Sequence, residues 1–339
     1  MTAALRLGHL VLGPSTHGVT KYGERVHRAL VDAGYGGHHV LAVADVTDAS
    51  TALRTAEFDV IHVHVTDRLF GDSPRQAAAQ FDSIVDAAGV PVTVTLHDLP
   101  QPSDGPGMTD RVACYRAVSS RAAATVVSSE HEAALVHEFV DEHAEAQVVP
   151  LLIEPVVMKE STLQENSVAV LGFLYPGKGH VETLRAMAGL DPAVGFVALG
   201  TPSPGHDDLV DELRSIAAES GRSCDITGYL DDDELDRRMR AVAVPVAHHR
   251  HMSASGSIGT WIAAGRRPAV PRTRYTEELQ QRSPGVVRIH DDSDDALARA
   301  IRVGLDDRES TVLGCDVTPR PTPRDVALQY DRIMRACAR

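Results

Sequence analysis

Aromatic side chains are scarce in this 339-residue chain, at 4% of the sequence. Its cores must therefore be built from Ala, Val, Leu and Ile, within an ordinary hydrophobic fraction of 43%. Lysine is scarcer still. Of the 33 basic residues only Lys21, Lys159 and Lys178 are lysines, and the other thirty are arginines. A chain so poor in ammonium groups puts weight on each one it keeps. Acidic residues outnumber basic ones, 47 to 33, for a formal net charge of −14. That balance lacks the basic face that a phosphodiester backbone requires, so nucleic-acid binding is not expected. No apolar run reaches the ~18–20 residues of a membrane-crossing helix. The first 12 residues lack a signal peptide's basic start and cleavage site. The four cysteines, Cys114, Cys224, Cys315 and Cys337, form no Cys-x-x-Cys pair. Reduced thiols in a cytoplasmic protein are the simplest reading.

What the chain does have is a rhythm of short apolar strands and amphipathic helices. Strand-like runs rich in Val, Ile and Leu fall at 5–12, 39–44, 59–65, 91–96, 124–128 and 147–151, separated by helical patterns such as 21–32 and 74–87. Near-continuous apolar strands alternating with helices predict parallel sheets covered on both faces. The stretch 154–166 breaks the rhythm with a proline and several polar residues and reads as a linker. A second series follows at 168–173, 194–199, 225–227, 241–247, 268–270 and 286–289. The chain also exceeds the length at which one core usually keeps growing. Two Rossmann-like α/β domains are therefore expected, over 1–153 and 167–318, followed by a Pro-rich connector and a terminal amphipathic helix in 319–339. The acidic runs 231–234 and 291–295 precede helical patterns. They fit N-caps and first-turn charges favoured by the helix dipole, with metal binding as the minor alternative.

In open parallel sheets ligands bind beyond the carboxyl ends of the strands, so the loops there are the candidate sites. The first, from Gly13 through Ser15 and His17 to Gly18, permits close backbone approach to an anion at a helix start, although a plain turn explains it equally well. The second is His97-Asp98, directly after a strand, where an imidazole can donate to a phosphate or sugar hydroxyl. His62 and His64 share one face of the preceding strand, and His64 is the nearer to the loop end. The third runs from Gly172 to Gly179 and brings Lys178 to a helix start. A cation there opposes the helix dipole unless an anion lies between them. The fourth, Ser253-Ala254-Ser255-Gly256-Ser257, opens a helical pattern over 259–264 with more hydroxyls than a cap needs. Free backbone N–H groups and serine hydroxyls at a helix start suit a diphosphate without any metal. The run His248-His249-Arg250-His251 has no ligand spacing for zinc and is expected on the rim of the ligand cleft. No Asp-x-Asp follows a strand where a donor-bound cation would be held, and there is no Gly-x-Ser-x-Gly elbow.

With these loops in order, the chain resembles the retaining glycosyltransferases of family 4. The likeness rests on His17-Gly18-Val19-Thr20-Lys21-Tyr22, on Phe58 to His64, on Val94-Thr95-Leu96-His97-Asp98, on Val127 to Glu130 and on Val149-Pro150. In the second half it rests on Gly172 to Gly179 and on Ile226-Thr227-Gly228-Tyr229-Leu230 with the acidic residues after it. Two positions depart from the family pattern. Phe173 stands where an Arg is usual, and Met252 and Thr260 occupy the positions of a Glu-x7-Glu pair. The Ser-Gly loop resembles that of a variant subgroup.

The resemblance implies a GT-B fold, in which two Rossmann-like domains face a central cleft, and a terminal helix that crosses back to the first domain. It implies a metal-independent, retaining hexosyltransferase that moves a hexose-type sugar from a UDP- or GDP-sugar to a hydroxyl acceptor. The acceptor would be a glycan, a lipid-linked or a small molecule, and the nucleotide sugar is a substrate rather than a cofactor. Lys178 falls on the family's diphosphate-binding lysine, joined here by Ser255, Gly256 and Ser257. His97 is expected at the donor sugar or diphosphate, Gly13, His17 and Gly18 at the acceptor or phosphate approach, and Gly200, Gly228 and Tyr229 in the nucleotide-side loops. The expected location is the cytoplasm, with peripheral contact at the inner membrane face and homo-oligomerisation left open. The rival readings are a GT-B sugar-nucleotide epimerase or phosphorylase, and a non-catalytic GT-B subunit that docks on a partner enzyme.

Overall fold

Strands buried on both faces must be apolar at nearly every position, and the central strands here are. β1 (Leu7–Leu12) and β3 (Val60–Val65) are buried at all six residues. A computed structural model describes residues 4–156 and 165–338. Residues 157–164 of the expected linker, Lys159 among them, lie outside the described residues. With β2 (His38–Val43), β4 (Val92–Leu96), β5 (Ala124–Val127) and β6 (Ala146–Val148), the first two strands form a six-stranded sheet in the order β2-β1-β3-β4-β5-β6. A second six-stranded sheet comprises β7 (Ser167–Leu171), β8 (Gly195–Leu199), β9 (Cys224–Ile226), β10 (Val244–Val246), β11 (Ala269–Pro271) and β12 (Arg288–His290). Its order is β12-β11-β10-β7-β8-β9. Neighbouring strands are parallel in both sheets.

Each strand-like run of the sequence thus yields a strand, with shifted ends. The run 241–247 shortens to Val244–Val246 because the preceding helix, Asp232–Ala241, takes its first residue. Val286 and Val287 enter the core ahead of β12 instead of forming it. Both acidic runs serve as helix starts: Asp231 caps its helix by accepting from the Glu234 amide at 2.9 Å, and Asp294 and Asp295 follow the Ser293 cap.

The chain divides into two units: one takes the sequence up to Leu152 together with Pro321 onward, and the other is Ile153–Arg320. Ile153 and Val156 pack into the second unit's core, where a linker is expected from residue 154. The terminal helix Pro323–Cys337 starts on a capping box between Thr322 and Asp325 with proline in its first turn. Val326, Ala327, Tyr330, Ile333 and Met334 recur at helical spacing and bury its inner face in the first unit, against the core that includes Tyr22, Val26 and Leu30 of the helix Gly18–Asp32.

Strand order decides where each unit can hold a ligand. In the first sheet the winding reverses between β1 and β3, and in the second between β7 and β10. The two loops that leave a sheet on either side of such a reversal diverge and leave a crevice. In the second unit those loops are 172–179 and 247–255.

Candidate functional site

Three of the four candidate loops lie at these reversals, and in the second unit two of them come together. Lys178 sits two residues before the helix His180–Ala186, behind its Gly179 cap. Its side chain is only 9% exposed, and Nζ donates to Oγ of Ser257 at 3.3 Å. Oγ of Ser257 lies 3.1 Å from Oγ of Ser255. Ser255 in turn caps the helix Gly256–Ala263, its Oγ accepting from the Ile258 amide at 3.4 Å. That helix begins three residues earlier than the 259–264 pattern suggests, so Gly256 and Ser257 form its first turn. Their N–H groups belong to the set that no intrahelical carbonyl reaches. An ammonium, two hydroxyls and a helix tip therefore converge, an arrangement whose chemistry suits an anion.

The loops are held at close range by glycine. Gly179 has φ +96°, and a Cβ on it would fall 2.3 Å from the His248 carbonyl oxygen. A Cβ on Gly172 would meet Cε of Lys178 at 2.9 Å. The Arg250 amide donates to the Gly177 carbonyl at 3.1 Å, a second pin between the same loops. Gly200 and Gly228 lie one and two strands away: the Gly200 amide donates to Oγ1 of Thr227 at 3.1 Å, and that hydroxyl donates to the Gly228 carbonyl at 3.0 Å. Tyr229 next to them is 67% exposed. Neither Glu-pair position compensates for its lost carboxylate: Met252 is buried, and Oγ1 of Thr260 donates back to the Gly256 carbonyl at 3.0 Å.

Around the pins lie His248 and His249 of the histidine run, and His180, which the sequence does not single out. His248 and His249 of the rim run are buried, the His248 backbone packing against Gly179; Arg250 and His251 are its exposed members. His180, at 3% exposure, has no hydrogen-bond partner on either ring nitrogen among the described residues. Burial, and next the charge of Lys178, push its pKa down to about 3. His249 is likewise held well below the usual imidazole range, by burial first and then by Lys178 and His180.

In the first unit, the Gly13 amide donates to the Val43 carbonyl at 3.1 Å, and Nδ1 of His17 caps the helix Gly18–Asp32 by accepting from the Val19 amide at 3.2 Å. Gly18 opens that helix at an exposed position. His97 follows β4 and is buried, with Nε2 3.1 Å from Nδ1 of His64. Burial pushes its pKa down to about 4, against the pull of Asp98. Asp98 adopts φ +51°, the sole such non-glycine among the described residues. Its turn is anchored by Oγ1 of Thr66, which donates to its carboxylate at 3.2 Å, and by Arg111 and Tyr115, which donate to its carbonyl.

His62 and His64 do share one face, as the alternation predicts, but His62 is fully committed inside the unit. Oγ1 of Thr93 donates to the Ile61 carbonyl, so it accepts from Nδ1–H of His62 at 2.8 Å. Nε2 then accepts from Oγ1 of Thr95 at 2.9 Å, and Thr95 from the Tyr330 hydroxyl at 2.9 Å. His9 and His38 form a similar relay. Asp331 accepts from Nε2–H of His38 at 2.9 Å, which leaves Nδ1 of His38 to accept from Nε2–H of His9 at 2.8 Å.

Comparison with known proteins agrees with this architecture. Residues 5–151 match the family model described as Glycosyl transferase 4-like domain. Among curated proteins no match is found. Among solved structures, the Anabaena protein Alr3699/HepE in complex with UDP-glucose superposes with a TM-score of 0.69 at 14% identity, over 98% of this chain and 95% of that one. AviGT4, a glycosyltransferase involved in avilamycin A biosynthesis, gives 0.61 at 14% identity, over 99% and 98%. An α,α-trehalose-phosphate synthase (UDP-forming) from Burkholderia xenovorans, in complex with glucose-6-phosphate, gives 0.63 at 12% identity, over 98% and 96%. At such identities the structural likeness shows the fold, and that fold is GT-B. No helix of the described residues is long and apolar enough to cross a membrane.

Proposed function

We propose that this chain, a GT-B protein whose first unit carries a glycosyl transferase 4-like domain, is a nucleotide-sugar glycosyltransferase that holds its donor diphosphate on Lys178, Ser255, Gly256 and Ser257. One observation carries the reading. The buried ammonium of Lys178 reaches the serine-flanked tip of a helix at 3.3 Å, at the point where the strand order of the second sheet reverses. An ammonium set beside serine hydroxyls and a helix tip suits an anion that bridges them.

Glycosyl transfer breaks the bond between the anomeric carbon and the diphosphate, and the electron pair leaves on the phosphate oxygen. Donors fixed in advance around that oxygen stabilise the developing charge without reorganising, and removal of one such donor typically costs ~10²–10³ in rate. Lys178 supplies the full charge, and Ser257 and the helix tip supply dipoles. The neighbours HepE, crystallised with UDP-glucose, and the UDP-forming trehalose-phosphate synthase support a UDP-sugar as donor. By the family resemblance the transfer retains anomeric configuration, needs no metal and carries a hexose to a hydroxyl acceptor. The leaving phosphate takes the acceptor's proton, so no paired carboxylates of glycosidase type are required. Gly200, Gly228 and Tyr229 line the approach for the nucleoside. In the first unit His97 is assigned to the sugar or diphosphate, and Gly13, His17 and Gly18 to the acceptor.

A binding screen of UDP, GDP, ADP and their sugars, with and without EDTA, tests the reading. A ligand at 100 times its Kd adds about 2.7 kcal/mol of stability, a clear melting shift. The reading expects a shift with a nucleoside diphosphate that EDTA leaves unchanged. A shift abolished by EDTA would remove the metal-free mechanism, and no shift with any of these ligands would remove the donor assignment.

A further inference from the structure

Beside Lys178 lie two more buried basic groups that the proposed chemistry does not use. His180 is adjacent to the Gly179 cap, and His249 lies on the facing loop between the two pins made by the His248 carbonyl against Gly179 and by the Arg250 amide on the Gly177 carbonyl. Among the described residues His180 has both ring nitrogens buried and without a partner, and His249 has Nε2 in the same condition. A neutral imidazole always carries one N–H, so a His180 donor is buried unsatisfied, which a fold tolerates rarely.

Lys178 acts on both rings, and His180 and His248 act on His249. Glu182 and Arg250 pair with each other at 2.8 Å, and together with Asp292 and Asp294 they act on the next ring, His248. The neighbouring helices Asp208–Glu219 and Asp294–Asp306 pack on His180–Ala186 but bring no further charge to bear on His180. Burial, and next the charge of Lys178, hold both imidazoles in the neutral form. A bound polyanion reverses that sign: its field favours charge on the imidazoles.

We propose that the Lys178–His180–His249 cluster is a proton-coupled polyanion site, in which binding of a nucleoside diphosphate draws a proton from solvent onto the imidazole pair. This rests on the diphosphate reading above and adds a second, titratable layer behind Lys178. The imidazoles are positioning residues. The proton they gain becomes an N–H that faces the anion's field, and it returns to solvent when the nucleotide leaves. Donor affinity therefore falls as pH rises, once the diphosphate itself is fully ionised.

The test is isothermal titration of the full chain with UDP near pH 7.5, in buffers of different ionisation enthalpy. The expected result is a net uptake approaching about one proton per UDP bound, which falls toward zero in the double variant His180→Asn, His249→Asn. Asn keeps a donor of similar size, and melting curves of the variants verify folding. Should the double variant fail to fold, the wild-type series from pH 7 to pH 9 decides: uptake must decline with rising pH as UDP affinity weakens. UDP binding with no proton uptake, or with equal uptake in wild type and variant, overturns the proposal while leaving the diphosphate site intact. Absence of binding by UDP, GDP and ADP alike removes both readings.

Discussion

In the first unit each of the buried histidines at the sheet, His9, His38, His62, His64 and His97, has a hydrogen-bond partner within the unit, whereas in the second His180 has none on either nitrogen. The environments are otherwise alike: both groups are buried at parallel sheets, and burial is the leading cause that lowers the pKa in both. The difference lies in what surrounds them. The first unit supplies Thr93, Thr95 and Asp331 as fixed partners for His62 and His38, which serve as neutral ties between strands and the terminal helix, while among the described residues Nδ1 of His9 and Nε2 of His64 have no partner. The second supplies a lysine and a serine-flanked helix tip instead. Satisfied polar groups specify a fold, while unsatisfied ones beside a buried charge mark where something else binds.

The sharpest way to break that comparison is to remove the charge. Lys178→Ala is expected to lower transfer by about 10²–10³ and to abolish the UDP-induced melting shift, with the unliganded melting point unchanged. Full activity in this variant would return Lys178 to a structural role.

The buried sheet histidines of the first unit, His9, His38, His62, His64 and His97, answer to acid. Their folded pKa values lie below the ordinary ~6.5, so as pH falls below that value the unfolded chain takes up protons that the fold refuses. Stability is fully present above ~6.5 and declines as pH drops toward the folded values. His97, held at about 4, accounts for roughly 3 kcal/mol over that window. Urea melts between pH 7 and pH 4 check this, and stability that stays flat would mean that the rings are not buried as neutral species.

Backbone approach in the second unit gives a smaller effect. Gly179→Ala places a Cβ 2.3 Å from the His248 carbonyl at a φ that Ala resists. It should cost more than about 1 kcal/mol in stability and weaken UDP binding as the two loops part. An unchanged Kd would show that the pin does not shape the site. Smallest is Ser255→Ala, which loses a helix cap worth about 1 kcal/mol. The same variant of Ser257 should leave stability nearly unchanged yet weaken UDP binding, and that split distinguishes cap from ligand.

Much of this was legible in the residues. Apolar runs and turn spacing locate the strands, because a strand buried on both faces leaves little freedom in composition. Lys178 stands out by rarity, and the Ser255-Gly256-Ser257 density exceeds what a cap needs. The meeting of those two segments is a different matter. Seventy-nine residues separate Lys178 from Ser257, and they touch because the sheet winds outward from β7 in both directions. Local periodicity carries no record of that order. For the same reason the sequence does not show that His249, next to the His248 backbone at Gly179, is buried. Arg266 is another such case: its guanidinium is sealed in the core, where it donates to the carbonyls of Met239, Val242 and Ala243 at the end of a helix, a role that a surface-prone residue type conceals.

The most direct trial of the central claim is a crystal structure with UDP bound. The account predicts a diphosphate oxygen within hydrogen-bonding distance of Nζ of Lys178, with Ser257 and the tip of the helix Gly256–Ala263 on the same phosphate. A nucleotide seated on other loops, with Lys178 still turned to Ser257 and touching no phosphate, would contradict it.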